Sequence, residues 1–223
     1  MKTVIAVVLI VMLPPAWAQL TSEQQDAKEQ GVIHFQMKKS NLAAPFLAVA
    51  ASAGDRDSQY YMGEIERRKV MFMTAEAQQW YEKAAAHGDI YAMLRLASAD
   101  QTLCILMENC APHIKSPSEW AAVARSLATE RAKCGDGEAM FQLYLLTGDF
   151  DWLIKSAKTG FPEGQDWLGV KYREGKGFFL TPGRRAKEVE RLFRAAAKAG
   201  YVPAMENLFE VLPLKGSEKE VGY

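Results

Sequence analysis

The sequence predicts an all-α protein, a solenoid of about five helical hairpins, and three observations lead to it. Glycines suited to ending helices recur as Gly54, Gly88, Gly135, Gly160 and Gly200. A small residue stands four positions after each (Ser58, Ala92, Ala139, Gly164, Ala204), and a large apolar one eight positions after (Met62, Leu96, Leu143, Leu168, Leu208). The run 80–97, WYEKAAAHGDIYAMLRLA, then reads as one unit of that repeat. Trp80, Tyr81, Ala84 and Ala85 make an apolar stripe at helical spacing, Gly88 supplies the positive φ that ends the helix, and Ala92, Met93, Leu96 and Ala97 make a second stripe that turns back on the first. The small residue lets helices approach and the large one fills the space between them, which is the logic of stacked hairpins.

Taken in order, the first helix is expected to start at Ser22, with Gln25 completing a capping box and Ala27, Val32, Phe35 and Met37 giving an apolar face. Asn41 is expected to cap a second helix over 42–53, where Pro45 is tolerated in the first turn. A third follows over 58–69, and Thr74 caps the helix that carries Trp80. Separations of 34, 47, 25 and 40 residues between the glycines locate the irregularities. The 47-residue step holds an insertion, 102–115, after which Ser116-Pro117-Ser118-Glu119 restarts a helix with a capping box and proline at its first position. In the 25-residue step the hairpin loop shrinks to Thr147-Gly148-Asp149. Pro162 and Pro203 open helices, Thr181-Pro182 opens a long basic one ending near Ala199, and Pro213 ends the array, leaving 214–223 as a tail.

Residues 1–18 combine Lys2, an apolar run from Val4 to Leu13, a proline pair and Ala16-Trp17-Ala18. That layout predicts a signal peptide cleaved after Ala18, hence export to a periplasm, with 19–213 as the solenoid. A ten-residue apolar run is too short to span a bilayer, so no membrane insertion is expected after cleavage. Twenty-seven basic residues balance 27 acidic ones, which argues against a nucleic-acid partner. Of the three cysteines, Cys104 and Cys110 form the local disulfide option, while either would also pair with Cys134. Cys104, Cys110 and His113 match no tetrahedral metal set, so neither metal nor cofactor is expected. His34 and His87 read as structural, and Gly175-Lys176-Gly177 as an ordinary turn. Acyl-enzyme chemistry of the penicillin-binding kind needs Ser-x-x-Lys, and no serine here has a lysine three residues later.

Residues 168–177, LGVKYREGKG, followed by 192–200, LFRAAAKAG, resemble the Sel-like repeat family, a branch of the tetratricopeptide-type solenoids with a longer loop between its two helices. Gly164, Leu168, Gly169, Tyr172, Gly175, Gly177, Ala196, Ala197 and Gly200 carry the pattern, and Met62, Gly63 and the run 80–88 carry it a second time. The unit from Gly135 to Gly160 departs from it, with Tyr144 where the glycine is usual and no extended loop, and Pro182-Gly183 stands where an acidic residue is usual. The resemblance implies a right-handed solenoid and a non-enzymatic adaptor. With its signal peptide and few repeats the chain is similar to exported immunity proteins that neutralise phospholipase effectors of type VI secretion; a periplasmic regulator or assembly adaptor is the alternative, and a cysteine-containing cell-wall enzyme a more distant one. In such folds the first helix of each hairpin lines the concave side. On that premise the outward positions Asp57, Tyr60, Glu64, Tyr91, Glu138, Phe141, Glu163, Asp166, Glu206 and Glu210 are expected to form an acidic, aromatic-studded groove that binds a protein partner, the cognate effector.

Overall fold

A computed structural model describes residues 20–70, 72–98, 112 and 114–212, and among them the chain forms eleven α-helices. They are α1 (Ser22–Gln36), α2 (Ser40–Ser52), α3 (Arg56–Val70), α4 (Ala75–Ala86), α5 (Ile90–Ala97), α6 (Pro117–Lys133), α7 (Gly137–Thr147), α8 (Phe150–Thr159), α9 (Pro162–Arg173), α10 (Pro182–Lys198) and α11 (Val202–Val211). Each helix packs chiefly on its neighbours in sequence, so the fold is a solenoid of five hairpins, α1–α2 through α9–α10, with α11 as one further first helix.

The five repeat glycines all take a left-handed conformation, with φ from 81° to 91°. Three of them are followed by aspartate, and that pairing makes each junction compact. The glycine ends one helix, and the aspartate carboxylate caps the next: Asp55 accepts from Ser58 N–H (2.7 Å), Asp89 from Ala92 (2.7 Å) and Asp136 from Ala139 (3.1 Å). After Gly160 and Gly200 the capping residue is aromatic, Phe161 or Tyr201, with a proline in the first turn of the helix that follows. The small residues four positions past each glycine are all buried, as are Met62, Leu96, Leu143 and Leu168 eight positions past; Leu208, in the last helix, is only half-buried.

Three helix starts differ from expectation; α3 begins at Arg56, two residues before 58, because Asp55 caps it. Thr21, not Ser22, caps α1 and forms the capping box with Gln24, because the threonine hydroxyl reaches the Gln24 N–H while the Gln24 amide oxygen returns to the Thr21 N–H. Helix α2 begins before Asn41, with Lys39 at the cap and no side-chain hydrogen bond there. Within the run 80–97 the fully buried aromatic is Tyr81, whereas Trp80 is half-buried under Lys83. The expected cleavage at residue 18, the cysteines of the insertion and the C-terminal tail lie outside the described residues; Cys134 is exposed. No helix among the described residues is long and apolar enough to cross a membrane.

The stack curls until its ends meet. Helix α11 packs against α1, Lys38 pairs with Glu206 at 2.8 Å, and the Val202 N–H reaches Gln36 Oε1 at 3.5 Å. This closure encloses the concave side.

A candidate binding cavity inside the closed stack

The first helices of the hairpins wall a partly enclosed cavity of about 700 Å³. Counted from the repeat glycines, every residue at the third position lines it: Asp57, Tyr91, Glu138, Glu163 and Pro203. One helical turn further on, at the seventh position, Tyr61, Arg95 and Trp167 line it as well. Residues four apart share a helix face, so these two positions form one inward stripe. Helix α1 supplies the equivalent set Lys28, Val32, Phe35 and Gln36.

The structure sorts the expected groove residues accordingly. Asp57, Tyr60, Glu64, Tyr91, Glu138 and Glu163 are brought together around the cavity. The other four are not. Phe141 is a core residue, 2% exposed, packed with Leu153, Leu168 and Leu192 behind the wall, because in this hairpin the sixth position after the glycine turns onto the neighbouring helix, whereas Tyr60, at the same position after Gly54, lines the cavity. Asp166 is buried for the same reason and accepts a hydrogen bond from Asn207 Nδ2 at 2.9 Å, tying α9 to α11. Glu206 sits exposed at the closure with Lys38, and Glu210 is exposed and paired with Arg173 at 2.8 Å.

Nor is the cavity acidic. Asp57, Glu64, Asp89, Glu138 and Glu163 line it together with Lys28, Lys38, Arg56, Arg68 and Arg95. The cations come from α1, from the α1–α2 turn and from helix positions that a count restricted to carboxylates and aromatics passes over. Most of these charges are engaged. Lys28 bridges Asp55 and Asp57 at 2.8 Å each, and Arg56 pairs with Asp57 at 3.0 Å and Asp89 at 3.7 Å. Glu64, 1% exposed, is the hub of a buried network: Arg95 donates to both of its oxygens, Arg67 approaches at 3.3 Å and Arg68 at 3.8 Å, and the Tyr81 hydroxyl donates at 2.8 Å. Glu138 takes Arg131 at 2.7 Å.

Aromatic rings fill the spaces between these pairs in two groups. Tyr60 contacts Tyr61 and Tyr91 with ring centroids 5.5 and 5.6 Å away, and Phe35 contacts Tyr61 at 4.8 Å. Across the cavity Phe161 and Trp167 lean on the buried Phe141 at 5.9 and 5.7 Å. Glu163 joins the two sides, accepting from the Tyr91 hydroxyl at 3.2 Å and the Tyr201 hydroxyl at 3.1 Å. Burial, reinforced by the nearby carboxylates of Glu163 and Glu138, holds the Tyr91 phenol well above its ordinary value, so it stays a donor.

Sequence reasoning misses Tyr61, Asp89, Phe161, Trp167 and Tyr201. A signal for three of them is present: Asp89, Phe161 and Tyr201 each directly follow a repeat glycine, the position that starts the next first helix and so faces the concave side. Among the described residues no group of histidine, cysteine, aspartate and glutamate has the arrangement to hold a metal ion. His87 is engaged with Gln59 Oε1 at 3.1 Å, and His34 stacks on Phe46.

No protein-family model matches the chain, and no curated protein matches it. Solved structures with a similar course of the chain are Sel1 repeat proteins. One, from Klebsiella pneumoniae subsp. pneumoniae, is 16% identical, covering 84% of this chain and 92% of that one with a TM-score of 0.44. Another, from Oxalobacter formigenes, is 19% identical over 87% of this chain and 93% of that one, TM-score 0.37. A protective antigen of uropathogenic Escherichia coli strains that displays an SLR fold is 18% identical, TM-score 0.36; the match covers 84% of this chain but only 49% of that protein, so the chain spans about half its length.

Proposed function

We propose that the protein is a non-catalytic binding protein that recognises another protein through its concave cavity. More specifically, we infer that it is an exported, periplasmic immunity protein that neutralises a cognate phospholipase-type effector of type VI secretion by covering that enzyme's active-site entrance. One observation carries the binding part of this reading. The third-position side chains of successive hairpins, with Tyr61, Arg95 and Trp167 at the seventh, are turned into a shared cavity of mostly aromatic and charged groups. Rigid aromatic residues with polar neighbours are the residue types that anchor protein interfaces, and a stack whose two ends meet holds them in place before the partner arrives. Among the described residues the lining includes no serine, cysteine or histidine, the residues that supply most nucleophile–base pairs.

The size of the cavity constrains how a partner engages. About 700 Å³ accepts a few side chains, not a domain, so the partner enters with one projecting segment while the rest lies across the rim. The immunity role and the location rest on the N-terminal segment and on the resemblance of the repeat motifs. A deletion strain grown against its parent tests them. The deletion strain is expected to be killed by its siblings and rescued by the intact chain; its survival would refute the immunity role, and an adaptor of the envelope would then be the better reading.

A further inference from the structure

Of the charged side chains around the cavity, Glu163 stands apart. Every lining cation is engaged by a carboxylate: Lys28 and Arg56 by Asp57, Arg68 and Arg95 by Glu64, and Lys38 by Glu206. The other lining carboxylates each have a cation. Glu163 has none among the described residues, only the phenols of Tyr91 and Tyr201, one on each oxygen. A carboxylate oxygen has room for a second hydrogen bond, so each retains acceptor capacity. Burial, with the like charges of Glu138 and Asp166, outweighs those two hydrogen bonds and holds the carboxyl above the usual glutamate range, as expected of an anion whose counter-charge is missing.

The walls around Glu163 are aromatic: Tyr91, Tyr201, Phe161 and Trp167 all line the same space. A carboxylate beside aromatic rings is the chemistry that holds an organic ammonium, by a charge-assisted hydrogen bond and by attraction of the cation to the rings. Among the described lining residues an anionic ligand meets no cation without a carboxylate partner. We propose that the cavity is a site for one alkylammonium group, held by Glu163 and walled by Tyr91, Tyr201 and Trp167. The group belongs either to a lysine side chain on the partner's projecting segment or to a free amine. This inference rests on the cavity being the recognition site and is independent of who the partner is.

Isothermal titration of the full chain tests it, using Nα-acetyl-lysine methylamide, its Nε-acetylated neutral counterpart, and cadaverine. The lysine amide is expected to bind one-to-one, with the neutral counterpart weaker by about tenfold or more. Tighter binding of the lysine amide than of cadaverine identifies a peptide-borne lysine as the source, and the reverse identifies a free amine. Glu163→Gln keeps the shape of the side chain and is expected to weaken the ammonium probe by about tenfold, while Glu210→Gln, outside the cavity, leaves it unchanged. Equal binding of charged and neutral probes, absence of binding by all of them, or unchanged affinity in Glu163→Gln would overturn the proposal. Should Glu163→Gln fail to fold, the comparison of probes on the parent chain decides alone. Failure here with a deletion strain still killed by its siblings leaves the immunity reading intact; a bound ammonium with a surviving deletion strain keeps the site and removes the immunity role.

Discussion

Replacing Glu64 by alanine is expected to cost about 3 kcal/mol of stability, because it leaves a cluster of guanidinium groups without their shared counter-charge. The Glu64 side chain is 2% exposed, while Arg95, Arg67 and Arg68 retain 39%, 16% and 40% of their side-chain exposure. Partial solvation of the arginines keeps the cost near the low end of what breaking a buried pair entails. Loss of the Tyr81 hydrogen bond adds to it, since that hydroxyl belongs to a fully buried side chain and loses its acceptor. Burial alone would raise the Glu64 pKa, but Arg95, Arg67 and the Tyr81 hydroxyl together hold it below the ordinary value. A carboxyl with a depressed folded pKa contributes stability that is present above the unfolded glutamate value and is lost as pH falls through the folded one. Urea melts from pH 7 downward should show that acid loss in the parent and much less of it in Glu64→Gln. Asp89 acts in the opposite direction. Burial pushes its carboxyl up to about 7 despite the Ala92 N–H and Arg56, so its ionisation erodes stability as pH rises from the ordinary aspartate value to about 7.

Alanine at Gly63 is expected to destabilise the fold by about 1–3 kcal/mol, although the same change in an exposed helix stabilises by about 1 kcal/mol. A Cβ on Gly63 would lie 2.6 Å from the Tyr81 ring. That ring is fully buried and its hydroxyl is fixed on Glu64, so it has little freedom to move aside. Gly169 meets Phe193 in the same way at 2.6 Å, and Gly31 meets Leu47 at 2.6 Å, so a first-helix glycine under a large second-helix side chain recurs in three hairpins. Gly183, in the first turn of α10, has nothing within 4 Å of its would-be Cβ. Gly183→Ala should therefore leave urea stability unchanged or slightly raised, while Gly63→Ala and Gly169→Ala lower it.

The repeat register is legible in the sequence because its markers are local. A left-handed glycine, a small residue one turn into the next helix and a large one a turn later are set by neighbours within a dozen positions. That register also places Asp57, Tyr91, Glu138 and Glu163 on the concave side. What it leaves open is the phase of the rest of the stripe. Continuing from the third position by three residues selects Tyr60, which lines the cavity, but also Phe141 and Asp166, which do not, whereas continuing by four selects Tyr61, Arg95 and Trp167, which do. Both steps are consistent with a 3.6-residue period, and only the position of the adjoining helix decides between them. The contribution of α1 is hidden for another reason, since no repeat glycine precedes it to set its register. Closure of α11 on α1 accumulates from small rotations between successive hairpins and is written in no single residue. Without it, Lys38 and Tyr201 have no reason to share a cavity with Tyr60.

The central claim, that recognition occurs through this closed concave side, is tested most directly by photo-crosslinking in the living cell. A crosslinking side chain placed at Lys38 or Trp167, on the cavity, and at Arg125, an exposed residue of α6 outside its lining, samples two different surfaces. The same partner adduct from both cavity positions and none from Arg125 is the predicted result. An adduct from Arg125 with none from the cavity positions would contradict it.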